Sequence, residues 1–290
     1  MVALRVVGPV LLALAAALAI DRLTARRGLR PPAFDPEWRG YGAAAVRRGL
    51  ALAVVAAVLW IGVFGPLGTL GADVEPDFSR INAAQLFLLH GLFAAALAAW
   101  YLLGFAGSGG SWVAQLGFRS ERPLPELGIG LAAGVGGWLT VLGVMVALGS
   151  LIWALGGQDL LPERPPALIP WLAGLPIWMR LAVSASAGLV EEAFFRGFLQ
   201  PRVGIPASTA LFVLAHAGYE QPLMLVGVTL LSLLFALLVR WRQSVWAAVV
   251  AHAVFDAVQL LIVVPTALKL VPGPEGDGGL LLGLAALGLW

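Results

Sequence analysis

Six ionisable side chains in the second half of this 290-residue chain interrupt runs otherwise suited to a hydrocarbon interior: Glu191, Glu192, Arg196, His216, His252 and Asp256. A charge at the centre of a bilayer-spanning helix costs at least about 2.5–3.5 kcal/mol on insertion scales, so such groups face a bundle interior or a watered cavity and point to function. Glu192 and Arg196 stand four residues apart with the acid first, the favourable order for an ion pair on one helix face. Glu191 is turned about 100° away from Glu192 in a helix of 3.6 residues per turn. One carboxylate therefore has a partner within its own helix and its neighbour does not, which leaves Glu191 as the candidate general base. The same spacing recurs in Phe212 with His216 and in His252 with Asp256. Blander readings stand beside these. Glu192 with Arg196 reads first as a structural ion pair, and Phe212 as packing. The isolated His90 reads as a helix-to-helix hydrogen-bonding residue, and Arg180, after Pro176, as the mark of a helix break.

The elements that must carry these residues are membrane helices. The chain is 60% hydrophobic and only 12% charged, about half the charge of a soluble domain, which is too little polar material for a water-facing surface. Apolar runs at 3–20, 49–72, 82–106, 127–155, 170–200, 205–219, 222–239 and 244–265 predict an all-α, polytopic bundle of about eight spans. The run 205–219 is short for a perpendicular crossing, and Gly278 to Trp290 is too short to cross alone. Seven arginines in 21–48 (Arg22, Arg26, Arg27, Arg30, Arg39, Arg47 and Arg48) hold that segment on the cytoplasmic side and make the first run an uncleaved span rather than a signal peptide. The loop charges then alternate. Asp73, Glu75 and Asp77 fall outside, Arg119 and Arg122 inside, Asp159 and Glu163 outside, and Arg202, Arg240 and Arg242 inside. Trp38, Trp171 and Trp241 read as interfacial anchors. A formal net charge of +2 argues against a nucleic-acid partner, and the absence of cysteine removes disulfides, thiolate metal sites and cysteine nucleophiles together.

The three motifs, EExxxR at Glu191, Glu192 and Arg196, FxxxH at Phe212 and His216, and HxxxD at His252 and Asp256, occur in order and in apolar context. In this they resemble the CAAX prenyl protease type II family, the intramembrane CAAX proteases and bacteriocin-processing enzymes. The resemblance covers roughly residues 170–265. It implies that Glu191 activates a hydrolytic water and that His216 helps to hold it. His252 and the residue at 256 would stabilise the oxyanion, with Glu192 and Arg196 organising the site. The family pattern admits Asn or Asp at 256. An ionised Asp cannot donate to an oxyanion, so Asp256 would either be protonated or, the reading favoured here, act indirectly by orienting His252.

His216 and His252 with Glu191, or with Asp256 in its place, could also hold a catalytic zinc with a water in the fourth position, but HExxH is absent and the resemblance implies a glutamate-activated water with no required metal. The organisation expected is residues 1–169 as membrane helices with a basic cytoplasmic loop, 170–265 as the catalytic core, and 266–290 as a tail. The function expected is hydrolysis of a membrane-embedded peptide or protein by a multi-pass protein of the inner or plasma membrane. The lipid bilayer is its other partner, and the oligomeric state is not legible. Two other classes use the same residue types: a non-proteolytic bacteriocin-immunity or scaffold protein of the same fold, and a proton-coupled transporter. A transporter would more naturally carry an internal repeat, and none is evident.

Overall fold

The computed structural model describes residues 2–69, 81–105, 107, 111–119, 123–161, 168–219 and 221–270. Every regular element among them is helical. The principal helices are α1 (Val2–Arg26), α2 (Tyr41–Leu59), α3 (Leu88–Gly104), α4 (Pro123–Ala154), α5 (Ile177–Glu192), α6 (Gln200–Ala215), α7 (Pro222–Arg242) and α8 (Trp246–Val258). The chain is a multi-pass membrane protein. Among the described residues six stretches are long and apolar enough to cross a bilayer: Arg5–Arg26, Tyr41–Gly68, Pro123–Ala154, Ile177–Ala215, Pro222–Arg242 and Trp246–Leu268, with Leu88–Gly104 as a shorter apolar helix.

The count of about eight reconciles with these six through two features. One is the shortness of α3. The other is the 39-residue stretch Ile177–Ala215, which joins the expected spans 170–200 and 205–219. The join is marked by Gly204, whose φ of 85° and ψ of 169° lie outside the helical region, just before Pro206. Glycine reaches that backbone without a Cβ penalty, and Pro206 removes the N–H that would have continued the turn. The expected charges at Asp73, Glu75, Asp77, Arg122 and Glu163, and the run Gly278 to Trp290, lie outside the described residues, as does the side chain of Trp38.

Lipid tails are as apolar as leucine, so these helices are held together by close packing and interhelical hydrogen bonds rather than by escape from solvent. The main core joins Ala13, Ala17 and Ile20 of α1 to Val55 and Leu59 of α2, Phe93 and Trp100 of α3, and Phe194, Phe195, Phe198 and Phe212 of the second half. A second packing device fixes α8. Gly130 and Gly134 of α4 lie directly against the Ala247 and Ala251 carbonyls, while Gly188 of α5 lies against the Val249 carbonyl on the other side of α8. Side chains at these glycines would force the helices apart. Trp138 Nε1 of α4 also donates to Gln259 Oε1 at 2.9 Å.

Contacts between the short connections gather the expected cytoplasmic segments at one end. Arg27 donates to the Pro201 carbonyl (2.8 Å) and Arg47 to that of Leu103 (3.3 Å). Val245 N–H donates to Gly117 O (3.0 Å), and Arg242 pairs with the buried Glu126 (2.7 Å). Asp21 and Arg48 form an ion pair that ties α1 to α2 near the same end.

Candidate active site

The adjacent acids at the end of α5 face two different sets of neighbours. Glu192 is fully buried and accepts from Arg196 Nη1 at 3.0 Å and from His252 Nδ1 at 2.8 Å, both through Oε1. Arg196 Nη2 continues to α7, donating to the Ser232 hydroxyl (3.1 Å) and the Ser232 carbonyl (3.3 Å). The buried guanidinium thus has a carboxylate and two neutral acceptors, and its Cζ lies 4.2 Å from the centre of the Phe212 ring, where burial strengthens the cation–π attraction. The expected ion pair is present. It is also a junction between α5, α7 and α8.

Glu191 turns the other way, towards α3. Its Oε1 lies 3.5 Å from His90 Nε2, so the carboxylate expected to stand alone has a neighbour. His90 does make the expected helix-to-helix hydrogen bond, from Nδ1 to Ser186 Oγ at 2.8 Å, and its other nitrogen faces the candidate base. Glu191 Oε2 is buried and has no hydrogen-bond partner among the described residues. His216 and His252 also lie close enough to act on the Glu191 charge.

The two histidines of the later motifs are fixed at their Nδ1 atoms. His216 Nδ1 lies 2.8 Å from the Phe212 carbonyl, which can only accept, so Nδ1 carries the proton there. In His252 both nitrogens face carboxylates, Glu192 at 2.8 Å from Nδ1 and Asp256 Oδ2 at 3.6 Å from Nε2. The second distance is too long for a hydrogen bond. His252 is thus hydrogen-bonded to Glu192, with Asp256 as a second, more distant charged neighbour. Phe235 of α7 stacks on the His252 ring, with centroids 5.0 Å apart and planes 18° from parallel. Phe212 packs against His216 with centroids 4.6 Å apart. Phe212, expected only to pack, also underlies Arg196.

Backbone irregularity accompanies the cluster. Ala193–Leu199, directly after Glu192, is π-helical, with the wider i→i+5 turn that occurs as short insertions, often at functional sites. The Phe195 carbonyl accepts from Ser208 Oγ (2.7 Å) and the Phe198 carbonyl from Arg202 Nη1 (2.5 Å). Among the described residues no three His, Asp or Glu side chains are grouped as a metal-ligand set. The residues that motif reading missed are His90, Ser186 and Ser232. For His90 the signal was available, because an imidazole in an apolar run meets the same criterion that singled out His216 and His252.

The described residues thus form a multi-pass helical bundle that buries a carboxylate–imidazole–guanidinium cluster among its spans. Residues 173–258 match the family described as type II CAAX prenyl endopeptidase Rce1-like, a segment containing every motif residue from Glu191 to Asp256. The uncharacterized protein YpbD of Bacillus subtilis (strain 168) is 33% identical over 69 residues, which make up 23% of this chain and 36% of that protein. The match thus spans about a third of the length of the curated relative. No solved structure matches the chain.

Proposed function

We propose that the chain is a CAAX-type intramembrane endopeptidase of the plasma membrane, hydrolysing a peptide bond of a membrane-associated peptide or protein with Glu191 as general base. The observation that carries this reading is the contrast between the two buried acids: Glu192 is committed through Oε1 to Arg196 and His252, whereas Glu191 is approached only by His90 at 3.5 Å and its Oε2 has no hydrogen-bond partner among the described residues, which leaves it able to take up a water. A water held there transfers a proton to Glu191 as its oxygen attacks the scissile carbonyl carbon. His216 holds that water through its Nε2, since Nδ1 is committed to the Phe212 carbonyl. The oxyanion that forms on the carbonyl oxygen needs a donor. His252 Nε2 supplies it as an imidazolium, with Nδ1–H held by Glu192 and Asp256 at 3.6 Å approaching Nε2 without closing a hydrogen bond to it. Glu192 and Arg196 hold the ring at the other nitrogen. Glu191 then passes its proton to the leaving amine, and the chain is restored.

The test compares cells carrying the native protein with cells carrying Glu191→Gln, by mass spectrometry of new N-termini in the membrane fraction. Termini present only with the native protein are expected, and their rate of appearance should fall by about 10²–10⁴-fold in the variant, the usual contribution of a general base. Identical sets of termini would overturn the protease reading and favour a scaffold or immunity role. The same cleavage, followed in purified protein, is expected to survive a metal chelator; loss restored by zinc would assign Glu191, His216 and His252 as ligands instead.

A further inference from the structure

His90 comes from α3, far in sequence from the three motifs, and it reaches the candidate base through a side chain that is itself held in place. Ser186 Oγ lies 3.0 Å from the Val183 carbonyl and 2.8 Å from His90 Nδ1. A carbonyl can only accept, so the serine hydroxyl spends its single hydrogen on Val183. Both contacts are then satisfied only if His90 Nδ1 carries a hydrogen and donates it to Ser186. This fixes the ring plane and leaves Nε2 facing Glu191 Oε1 at 3.5 Å, an approach that attracts the carboxylate when the ring is an imidazolium with a hydrogen on Nε2 as well. The ring is further set by its helix. Phe93, three residues on and hence on the same side of α3, is buried against Phe194 and Phe195 with centroids 4.6 and 5.5 Å away. Rotation of α3 that would withdraw His90 would also pull Phe93 out of the core.

We propose that His90 is a positioning residue for Glu191: Ser186 and Phe93 aim its Nε2 at Glu191 Oε1, and that contact selects the carboxylate orientation in which Oε2 is presented to the reacting water. The inference rests on the protease reading for its kinetic consequence but not for its geometry. Without His90, Glu191 loses the neighbour that approaches Oε1, and the carboxylate gains freedom to rotate within the site.

Two measurements test this, one of them independent of activity. The chain contains three histidines, so ¹⁵N-histidine spectra of the full protein in lipid bilayers contain three imidazoles, each assignable by one substitution. His90 is expected to show a protonated Nδ1, with its nitrogen shifts moved by Ser186→Ala and by Glu191→Gln. A His90 ring indifferent to both substitutions would overturn the proposal. The kinetic probe is a quenched-fluorescence peptide ending in an isoprenylated Cys-aliphatic-aliphatic-X sequence, the substrate type in the matching family's description. His90→Leu should lower kcat by about 10- to 100-fold with KM unchanged, the scale of effect expected when a catalytic group is misplaced by up to about 1 Å. His90→Gln, which keeps a donor at the same reach, should recover part of the loss. Ser186→Ala should move kcat in the same direction and serves if His90→Leu fails to fold. Gly91→Ala, in open space beside His90, is the control for α3 itself. An unchanged kcat in His90→Leu, with Glu191→Gln inactive, would defeat the positioning role and leave the protease reading intact. If the native protein cleaves nothing, that counts against the protease reading, and the spectra alone decide the His90 assignment.

Discussion

Replacing Gly134 by alanine should damage the site although Gly134 touches none of its residues. A Cβ built on Gly134 would lie 2.7 Å from the Ala251 carbonyl oxygen and 2.7 Å from Val254 Cβ. Neither atom belongs to a flexible side-chain end. To restore ordinary contact, which begins near 3.4 Å, α8 must retreat by about 0.7 Å. It cannot retreat freely, because its opposite side already rests on Gly188 of α5, where the Val249 carbonyl is 2.6 Å from the position a Cβ would take. His252 and Asp256 lie on that α5-facing side of α8. The bond from His252 Nδ1 to Glu192 is 2.8 Å, and a displacement of 0.7 Å in either sense takes it out of the hydrogen-bonding range.

The magnitudes separate stability from catalysis. Overpacking costs about 1–3 kcal/mol, and exchanging glycine for alanine within a helix returns about 1 kcal/mol, so the net loss of stability is about 0–2 kcal/mol. Misplacement of a catalytic group by most of an ångström costs up to about 100-fold in rate. Gly134→Ala should therefore fold, unfold at a slightly lower temperature in detergent micelles, and cleave roughly tenfold or more slowly. The control lies two residues away. A Cβ at Gly136 meets nothing within 4 Å, so Gly136→Ala should leave the rate unchanged and stability equal or slightly raised. Native rate in Gly134→Ala, or equal damage from both substitutions, would refute the claim that α4 sets the position of α8.

Three further expectations follow from the same geometry. Glu192→Gln leaves Arg196, itself 1% exposed, without its carboxylate, and should cost about 3–5 kcal/mol in a denaturant titration, whereas Glu192→Gln combined with Arg196→Met should recover much of that stability without recovering cleavage. Asp256→Asn keeps the size of the side chain near His252 Nε2 and adds a donor, so the cleavage rate should stay within a few-fold of native; an inactive Asp256→Asn would show that the carboxylate charge itself is needed. The chain has no native cysteine, so Leu29→Cys and Leu155→Cys, both at exposed positions, can be probed singly with a membrane-impermeant maleimide. Leu155→Cys should label in intact cells and Leu29→Cys only after permeabilisation, and the reverse pattern would invert the topology.

The helices and the later motif pairs were legible because both are local. Hydrophobic runs fix spans, and an i,i+4 spacing fixes which side chains share a helix face, so Glu192 with Arg196 and Phe212 beside His216 follow from the chain alone. Contacts between helices were not legible, because they depend on how each helix is rotated about its axis. The rotation of α3 is set by Phe93 against Phe194, and it carries His90, three residues away, to Glu191. One signal of this kind was present in the sequence and passed unread. Gly130 and Gly134 form a small-xxx-small pattern, which marks a close helix approach in membranes, and it identifies the face of α4 against which α8 lies.

The adjacency of the two acids has a consequence that depends on helix geometry rather than on either residue. Side chains one residue apart diverge by about 100°, so Glu191 and Glu192 point into different parts of the bundle. Glu192 recruits α7 and α8 through Arg196 and His252, and Glu191 recruits α3 through His90. The backbone then widens into the π turn Ala193–Leu199, and irregular backbone at membrane depth persists only where its polar groups find other donors. Ser208 and Arg202 donate to two of its carbonyls, and both are carried by α6, the helix that also brings Phe212 and His216 to the site. Arg202 does so locally, four residues after Phe198, whereas the break at Gly204 lets the rest of α6 fold back far enough for Ser208, because a straight continuation of α5 would carry Ser208 away from Phe195. The same backward turn thus satisfies the widened backbone and delivers the second motif, so a substitution that straightens the chain at Gly204 disrupts both together.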